Sequence, residues 1–270
     1  MNYYLYPLRF LTPVHFGDTS EGGNLETISL TLGSDTLFGA CCHEISHDTE
    51  LLHSFIKAVK EQQIVLSSLF PYCIDNNEYK LYVPAPIIQM ESKNVPATSF
   101  DDVKTAIAAH KKIKRIEYIR ASELQQFNKY LQSDASQKHM PTFGVKQTSA
   151  QVNMRGEKSL PYYVGNYQFM PHAGLYIIAG FHDDSHRTLF EGILEVLGLV
   201  GIGGKRSGGY GKFELADDPI ELAEEGIYRD DSALYTLLHN VQGKVMCISA
   251  CVPTSEEVPI LKQGFYKIQK

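Results

Sequence analysis

The segment from Gly201 to Gly211 is dense in glycine, with six glycines among eleven positions. A loop of this kind lets its backbone approach a ligand closely and directs successive N–H groups at an anion. Lys205 and Arg206 at its centre add two positive charges, and Ser207 adds a hydroxyl donor. The spacing matches neither a Walker A loop nor a G-x-G-x-x-G motif, and the segment follows a predicted helix. It therefore predicts an anion-binding loop without nucleotide hydrolysis; a tight hairpin that merely needs glycines is the alternative.

Two further basic features have the chemistry to contact phosphates. One is a cluster made by Lys111, Lys112, Lys114 and Arg115. It fits either a helix that follows a nucleic-acid backbone or an ordinary solvated helix face. The other is Arg155, in a polar stretch. Its guanidinium could bind a phosphate through two parallel hydrogen bonds, or it could be an ordinary surface side chain.

The histidines and cysteines carry weaker signals. His15 lies in a loop, where a histidine acts as a general base, stacks on a nucleobase or has only a local structural role. Cys41 and Cys42 are adjacent on a predicted helix and point about 100° apart, and no second ligand pair has zinc-finger spacing. We therefore expect no metal and no cofactor.

Composition sets the broad class. The chain has 270 residues, 43% of them hydrophobic, with a net charge of −6. These values exclude a disordered protein, a disulfide scaffold and a protein that coats nucleic acid by bulk charge. The five cysteines have no disulfide framework spacing. The beginning of the sequence lacks a signal peptide, and no apolar run is long enough for a membrane helix, so we expect a cytoplasmic protein.

Hydrophobic periodicity predicts the elements that position these residues. Strands are expected at 2–10, 64–69, 79–83, 162–169, 174–181 and 212–215, with 162–169 and 174–181 paired around Met170–Ala173. Helices are expected from Ser34, where Ser34, Asp35 and Thr36 offer N-cap oxygens, and at 48–62, 101–114, 123–131 and 188–199. Two last strands are expected at 244–252 and 263–268. Residues 86–160 are polar and irregular, which indicates an insertion.

This order is that of a βαββαβ unit, which predicts an α+β, ferredoxin-like (RRM-like) fold. We assign residues 1–220, with the insertion at about 86–160, to one large domain. Residues 221–270 are assigned to a second, incomplete ferredoxin-like domain.

Three motifs together resemble a known family. They are Thr12-Pro-Val-His-Phe-Gly17, Ser34-Asp-Thr-Leu-Phe-Gly-Ala40 and the glycine loop continuing to Phe213. The combination resembles the RAMP proteins of CRISPR effector complexes, in particular subunit four of the type III-A (Csm) complex. The resemblance covers residues 8–215.

The resemblance implies a non-catalytic subunit that grips the 5′ repeat-derived tag of the guide RNA. It also implies contacts with the large polymerase-like subunit and with the backbone RAMP subunit, and none with a membrane. Family members continue past the position of Ile268, so the second domain is expected to be partial. The expected RNA contacts are His15, Gly17, Ser34, Lys111, Lys112, Lys114, Arg115, Arg155, Gly203, Gly204, Lys205, Arg206, Ser207, Gly208, Gly209 and Tyr210.

Two alternatives stand beside this hypothesis. A metal-independent repeat-processing endoribonuclease of the same superfamily would use His15, His43 or His47 as general base, with a loop cation on the phosphate. A generic ferredoxin-like interaction domain without RNA would leave the glycine loop unexplained. For single-stranded RNA, backbone amides beside an RRM-like sheet and aromatic stacking are the expected means of binding.

Overall fold

A computed structural model of the chain describes residues 1–17, 24–87, 104, 116–127, 141–155, 158–240, 245–261 and 264. The described strands are β1 (Asn2–Phe10), β2 (Ile64–Leu66), β3 (Phe70–Asp75), β4 (Glu78–Pro84), β5 (Tyr118–Arg120), β6 (Gly144–Arg155), β7 (Lys158–Phe169), β8 (Ala173–Phe181), β9 (Phe213–Leu215) and β10 (Ile220–Glu221). The described helices are α1 (Ser34–Glu44), α2 (Thr49–Lys60), α3 (Ala121–Leu124), α4 (Asp184–Val200), α5 (Arg229–His239) and α6 (Val258–Leu261).

One antiparallel sheet organises the chain. Its strand order is β10-β1-β8-β3-β4-β5, with β9 also paired to β1 and β2 also paired to β8. The first strand therefore lies beside the strand that precedes α4, and the strands after α4 add to its other edge. The result is a mixed helix-and-sheet protein with an antiparallel sheet, as the α+β prediction required.

The predicted pairing of 162–169 with 174–181 is wrong. β8 pairs with β1 over seven positions, from Asn2↔Phe181 to Leu8↔Leu175. β7 pairs instead with β6, in a twelve-residue register from Gly144↔Phe169 to Arg155↔Lys158. β6 and β7 thus form a separate two-stranded hairpin, which we call the arm; β6 lies within the region expected to be irregular, whereas most of β7 coincides with the predicted strand 162–169.

Helices α1, α2 and α4 cover one face of the sheet. Their apolar side chains recur every three or four residues and pack on alternate residues of β1 and β8. Asp48 and Asp183 cap α2 and α4 by accepting backbone N–H bonds. The cap predicted for α1 is wrong: Gly33 occupies the N-cap position without a side-chain hydrogen bond, and Ser34 is the first helical residue.

The opposite face of the sheet is also covered. Leu222 and Leu234 pack there against Tyr72, Tyr176 and other buried side chains of β3, β4 and β8. Asp230 of α5, fully buried, accepts hydrogen bonds from the backbone N–H of Leu81 and from the Arg120 guanidinium. α5 is therefore fixed to the sheet by both an apolar contact and a buried ion pair.

The C-terminal segment differs from its prediction. Residues 245–252 form no strand, although the backbone N–H of Ser68 donates to the Ile248 carbonyl. β10, which spans the predicted boundary, and α5, which was assigned to the second domain, both pack on the main sheet. The domain division at residue 220 stays a prediction.

Candidate nucleic-acid interface

The glycine loop links the end of α4 to β9 and has a backbone that glycine makes accessible. Gly201, Gly203, Gly209 and Gly211 all have positive φ, between 78° and 96°. A Cβ placed on Gly211 would lie 2.1 Å from the Ile202 carbonyl oxygen, which no side chain tolerates. The loop therefore closes on itself through backbone contacts, including a hydrogen bond from Ile202 N to Gly211 O.

The loop packs directly on the segment that follows β1. Gly204 N donates to the His15 carbonyl at 2.8 Å, and Gly211 N donates to the Pro13 carbonyl at the same distance. A Cβ on Gly203 would meet the Phe16 ring at 2.7 Å. The glycine loop and the motif Thr12–Gly17 are thus in contact, although the residues that touch are 187 or more positions apart in the sequence.

His15 lies inside this contact. Its side chain and backbone are only 6% exposed, and its Nδ1 lies 2.7 Å from the Gly165 carbonyl of β7. Because a carbonyl only accepts, Nδ1 is the protonated nitrogen and donates this bond. A Cβ on Gly204 would lie 2.6 Å from the His15 ring. His15 therefore joins the glycine loop to the arm.

The two loop cations have different environments. The Lys205 ammonium lies 5.0 Å from the centre of the Tyr162 ring, a cation–π distance. The Arg206 guanidinium forms an ion pair through Nη1 with Glu44, at the end of α1. Lys205 directly precedes a 3₁₀ turn, Arg206–Gly208, and has a left-handed backbone conformation with φ of +61°.

An open concavity lies beside this turn. It is lined by Val200, Gly203, Lys205, Arg206 and Ser207. Ser207 and Gly208 are exposed, and Gly209 and Tyr210 are half-buried. The concavity thus brings two cations and a hydroxyl together beside the apolar side chain of Val200, an arrangement suited to a phosphate and its attached sugar or base.

The remaining sequence-predicted residues are placed as follows. Gly17 is exposed and forms a β-bridge with Ile28. Ser34 is buried, and its hydroxyl accepts a hydrogen bond from Ala250 N at 2.8 Å. Arg155 ends β6, but its side chain lies outside what the structure describes. The cluster Lys111, Lys112, Lys114 and Arg115 lies outside the described residues.

Sequence reasoning missed two neighbours of the loop. Tyr162 was recognised only as the start of a strand, and Glu44 only as part of a helix. Neither residue belongs to a local motif, since Glu44 lies 162 positions from Arg206. Only the fold brings them to the site.

The aromatic residues on the second sheet face do not form an open stacking platform. Tyr72, Tyr79 and Tyr176 are 2%, 5% and 0% exposed beneath the segment that includes α5. Burial also raises the pKa of Tyr79 to about 12. Stacking of RNA on this face, one way in which an RRM-like sheet binds RNA, is therefore blocked in this structure.

Two general properties complete the description. Among the residues that the structure describes, no three His, Cys, Asp or Glu side chains are grouped to hold a metal ion. None of the described helices combines the length and apolar composition needed to cross a membrane.

Comparison with known proteins gives the relationship. No protein-family model matches the chain. A Streptococcus thermophilus protein named "CRISPR system Cms protein Csm4" is 25% identical over 273 residues, which cover all of this chain and 80% of that protein. A Mycobacterium tuberculosis protein of the same name is 28% identical over 217 residues, covering 77% of this chain and 63% of that protein.

The fold is similar to that of a solved relative. The structure called "Csm3-Csm4 subcomplex in the type III-A CRISPR-Cas interference complex" has a chain with a TM-score of 0.50 and 17% identity, covering 83% of this chain and 70% of that chain. Sequence similarity that extends over the whole chain agrees with the resemblance found in the three motifs: the chain is similar to proteins named Csm4 of CRISPR systems, and it shares the fold of a chain of the solved subcomplex.

Proposed function

We propose that this protein is the guide-RNA-binding subunit of a type III-A CRISPR interference complex. It grips the 5′ repeat-derived tag of the guide RNA and does not itself cut RNA. In the complex it bridges the large polymerase-like subunit and the backbone RAMP subunit. Homology to proteins named as CRISPR system subunits supports membership of such a complex.

The observation that carries the RNA-binding proposal is the concavity beside the glycine loop. Lys205, Arg206 and Ser207 line it together, although the protein as a whole has a net charge of −6. A local pair of cations binds single-stranded RNA through its phosphates. Val200 gives the same concavity an apolar wall for a base or ribose.

His15 and Ser34 are both fixed within the protein, and only His15 contacts the glycine loop. Both are buried, and both have side-chain hydrogen bonds to backbone groups of the protein. His15 holds the glycine loop against the arm, and Ser34 holds the start of α1 against residue 250. We therefore assign direct RNA contact to the loop residues that line the concavity and an indirect role to His15 and Ser34.

The geometry of His15 disfavours this residue as the general base of the nuclease alternative. A general base must reach the hydroxyl that it deprotonates. The bond from Nδ1 to Gly165 leaves Nε2 as the nitrogen that could accept a proton, but the residue is only 6% exposed and its ring is packed against Gly204, which limits the access of a substrate hydroxyl. A structural histidine at this position is compatible with a subunit that binds RNA without cutting it.

We also infer that the core of the fold is ferredoxin-like, as the resemblance to RAMP proteins implies. In a βαββαβ numbering, β1 is the first strand, β3 the second, β8 the third, and β9 and β10 together take the fourth position. The order in the sheet is then fourth, first, third, second, and every pairing is antiparallel. A βαββαβ unit built from two interleaved split βαβ halves has this arrangement. The arm, β4 and β5 are additions to that unit, between its second and third strand positions.

The proposal is tested by gel mobility with end-labelled RNA in metal-free buffer. One RNA contains the repeat, and the other is a mature guide with its tag. We compare the wild type with Lys205→Ala/Arg206→Ala, and we use Lys57→Ala/Lys60→Ala on the exposed face of α2 as a charge-matched control.

The wild type is expected to shift intact RNA and to bind the tagged guide more tightly. The loop variant loses two phosphate contacts, so its salt-dependence slope falls by about 1.4 for single-stranded RNA. The α2 control keeps the wild-type slope. A folded loop variant with unchanged affinity removes the loop from the RNA site, and site-specific cutting that disappears in His15→Ala establishes the nuclease instead.

A further inference from the structure

The Arg206 side chain extends from the glycine loop, whose glycines offer it no side chains to pack against. Its neighbours include four glycines between Gly203 and Gly209, and the loop is held by backbone hydrogen bonds. Arginine carries large rotamer entropy, and ordering such a side chain on binding weakens affinity. An RNA contact from Arg206 is therefore much stronger if the free protein already holds the guanidinium in place.

Glu44 is placed to do this. It ends α1, a helix anchored in the core by Leu37 and Cys41, which are both fully buried. The Glu44 side chain is only 11% exposed, whereas that of Arg206 is 26% exposed. The carboxylate is thus a rigid acceptor on a fixed helix, and the guanidinium is the more accessible partner.

The contact leaves most of the guanidinium available. Glu44 Oε1 accepts from Nη1, and it also lies 3.2 Å from Nδ1 of His43. Across the described ranges, the structure shows no further hydrogen-bond partner for the Arg206 guanidinium. Since a guanidinium has five N–H donors in a planar fork, the donors on Nε and Nη2 stay free for a phosphate at the concavity.

We infer that Glu44 is a positioning residue of the RNA site, which orients Arg206 for a phosphate of single-stranded RNA. The inference rests on the proposed function, because it needs Arg206 to contact RNA. The carboxylate also has a cost, since its charge opposes that of the incoming phosphate. Orientation and charge are separable, because glutamine keeps the acceptor oxygen and lacks the charge.

The test is a set of four variants measured against the tagged guide RNA by fluorescence anisotropy at several salt concentrations. Glu44→Ala removes the acceptor, and Glu44→Asp keeps the charge but shortens the reach by one methylene. Glu44→Gln keeps reach and acceptor. Glu195→Ala, on the exposed face of α4, controls for the loss of a negative charge.

Glu44→Ala and Glu44→Asp are expected to weaken binding roughly 2- to 12-fold, the range for ordering one long side chain. Glu44→Gln binds at least as tightly as the wild type, and Glu195→Ala is unchanged. In an Arg206→Ala background, Glu44→Ala has no further effect, which separates positioning from a general loss of structure. Thermal unfolding of each variant shows that the comparison is between folded proteins.

Two results would overturn the inference. One is tighter or unchanged binding by both Glu44→Ala and Glu44→Asp while Arg206→Ala weakens binding; the carboxylate then does not position Arg206. The other is an equal loss from Glu44→Ala with and without Arg206. If Arg206→Ala together with Lys205→Ala leaves RNA binding unchanged, the proposed function itself has failed, which is a distinct outcome.

Discussion

At the scale of single residues, the site is a set of contacts between segments that are distant in sequence. Gly204 and Gly211 donate to the carbonyls of His15 and Pro13, and His15 in turn donates to Gly165 of the arm. The loop, the segment after β1 and the arm therefore share one junction. A change in any of them is expected to move the cations at the concavity.

The first residue-scale prediction concerns Gly203. Its φ is +94°, and a Cβ there would lie 2.9 Å from the His15 carbonyl oxygen as well as against the Phe16 ring. Gly203→Ala is therefore expected to lower the free energy of unfolding by about 2 kcal/mol or more. Urea unfolding followed by far-ultraviolet circular dichroism measures this, and the signal does not depend on tryptophan, which the chain lacks.

Gly192 provides the matched control. It lies inside α4, and a Cβ at that position has nothing within 4 Å. Gly192→Ala is expected to raise the free energy of unfolding by about 0.5–1 kcal/mol, because alanine loses less backbone entropy in a helix. Equal stabilities for the two alanine variants would show that the contact between the loop and residues 13–16 is not tight in solution.

At the scale of elements, α5 determines which face of the sheet is available. Asp230 is buried with four hydrogen bonds: from Leu81 N, from Ser122 N, and from Nε and Nη2 of Arg120. A buried ion pair contributes little over an apolar substitute, but removal of one partner leaves an unpaired buried charge. The pair therefore fixes the position of α5 relative to β4 and β5.

Asp230→Asn is accordingly expected to lower the free energy of unfolding by about 3 kcal/mol, since Arg120 loses its countercharge. Asp218→Asn, on an exposed turn, should change it by less than about 0.5 kcal/mol. Denaturant unfolding measures both values, and limited proteolysis reports whether the α5 segment becomes accessible first. If Asp230→Asn unfolds at the wild-type midpoint, the apolar contacts alone hold α5.

The same scale shows what the sequence could predict. β1, α1, α2, β4 and α4 have apolar residues at regular spacing, and all five lie within a few residues of their predicted positions. β3 was missed because Pro71 and Cys73 interrupt its pattern. β6 was missed because its sequence, GVKQTSAQVNMR, is mostly polar on both faces, as suits an arm with little core to cover.

Pairing was harder to predict than the elements themselves. The short connection at Met170–Ala173 suggested a β7–β8 hairpin, but the nine residues of β8 are all buried and need neighbours on both sides within the main sheet. The site was also only partly predictable, because some of its contacts depend on tertiary packing. Its loop and its histidine are visible as motifs, whereas Glu44 and Tyr162 reach the loop only through the packing of α1 and the arm.

At the scale of the whole molecule, the two cations of the concavity belong to a chain that is acidic overall. Residues 214–231 alone contain eight carboxylates and one arginine, against a net charge of −6 for the chain. Such a chain repels nucleic acid except where cations are concentrated, which favours one defined RNA path over general adsorption. The cations at the concavity are therefore expected to decide where RNA lies.

The position of the two cations and the covered face of the sheet together predict which residues RNA contacts. A guide RNA with 4-thiouridine in its tag is bound, irradiated and digested, and crosslinked peptides are identified by mass spectrometry. Crosslinks are expected in residues 201–211, because this loop lines the concavity, and in β7 near Tyr162, because the Tyr162 ring contacts Lys205. None is expected in β3 or β4, whose Tyr72 and Tyr79 are at most 5% exposed.

The loop variant Lys205→Ala/Arg206→Ala serves as the control, and its crosslink yield at the same protein concentration should fall. Crosslinks at Tyr72 or Tyr79 would have a definite physical meaning, since RNA reaches these rings only if α5 leaves the sheet. That movement would break the Asp230–Arg120 pair and expose Leu234 and the apolar side chains beneath it. Because such exposure is costly, we expect the RNA to follow the loop and the arm while α5 stays in place.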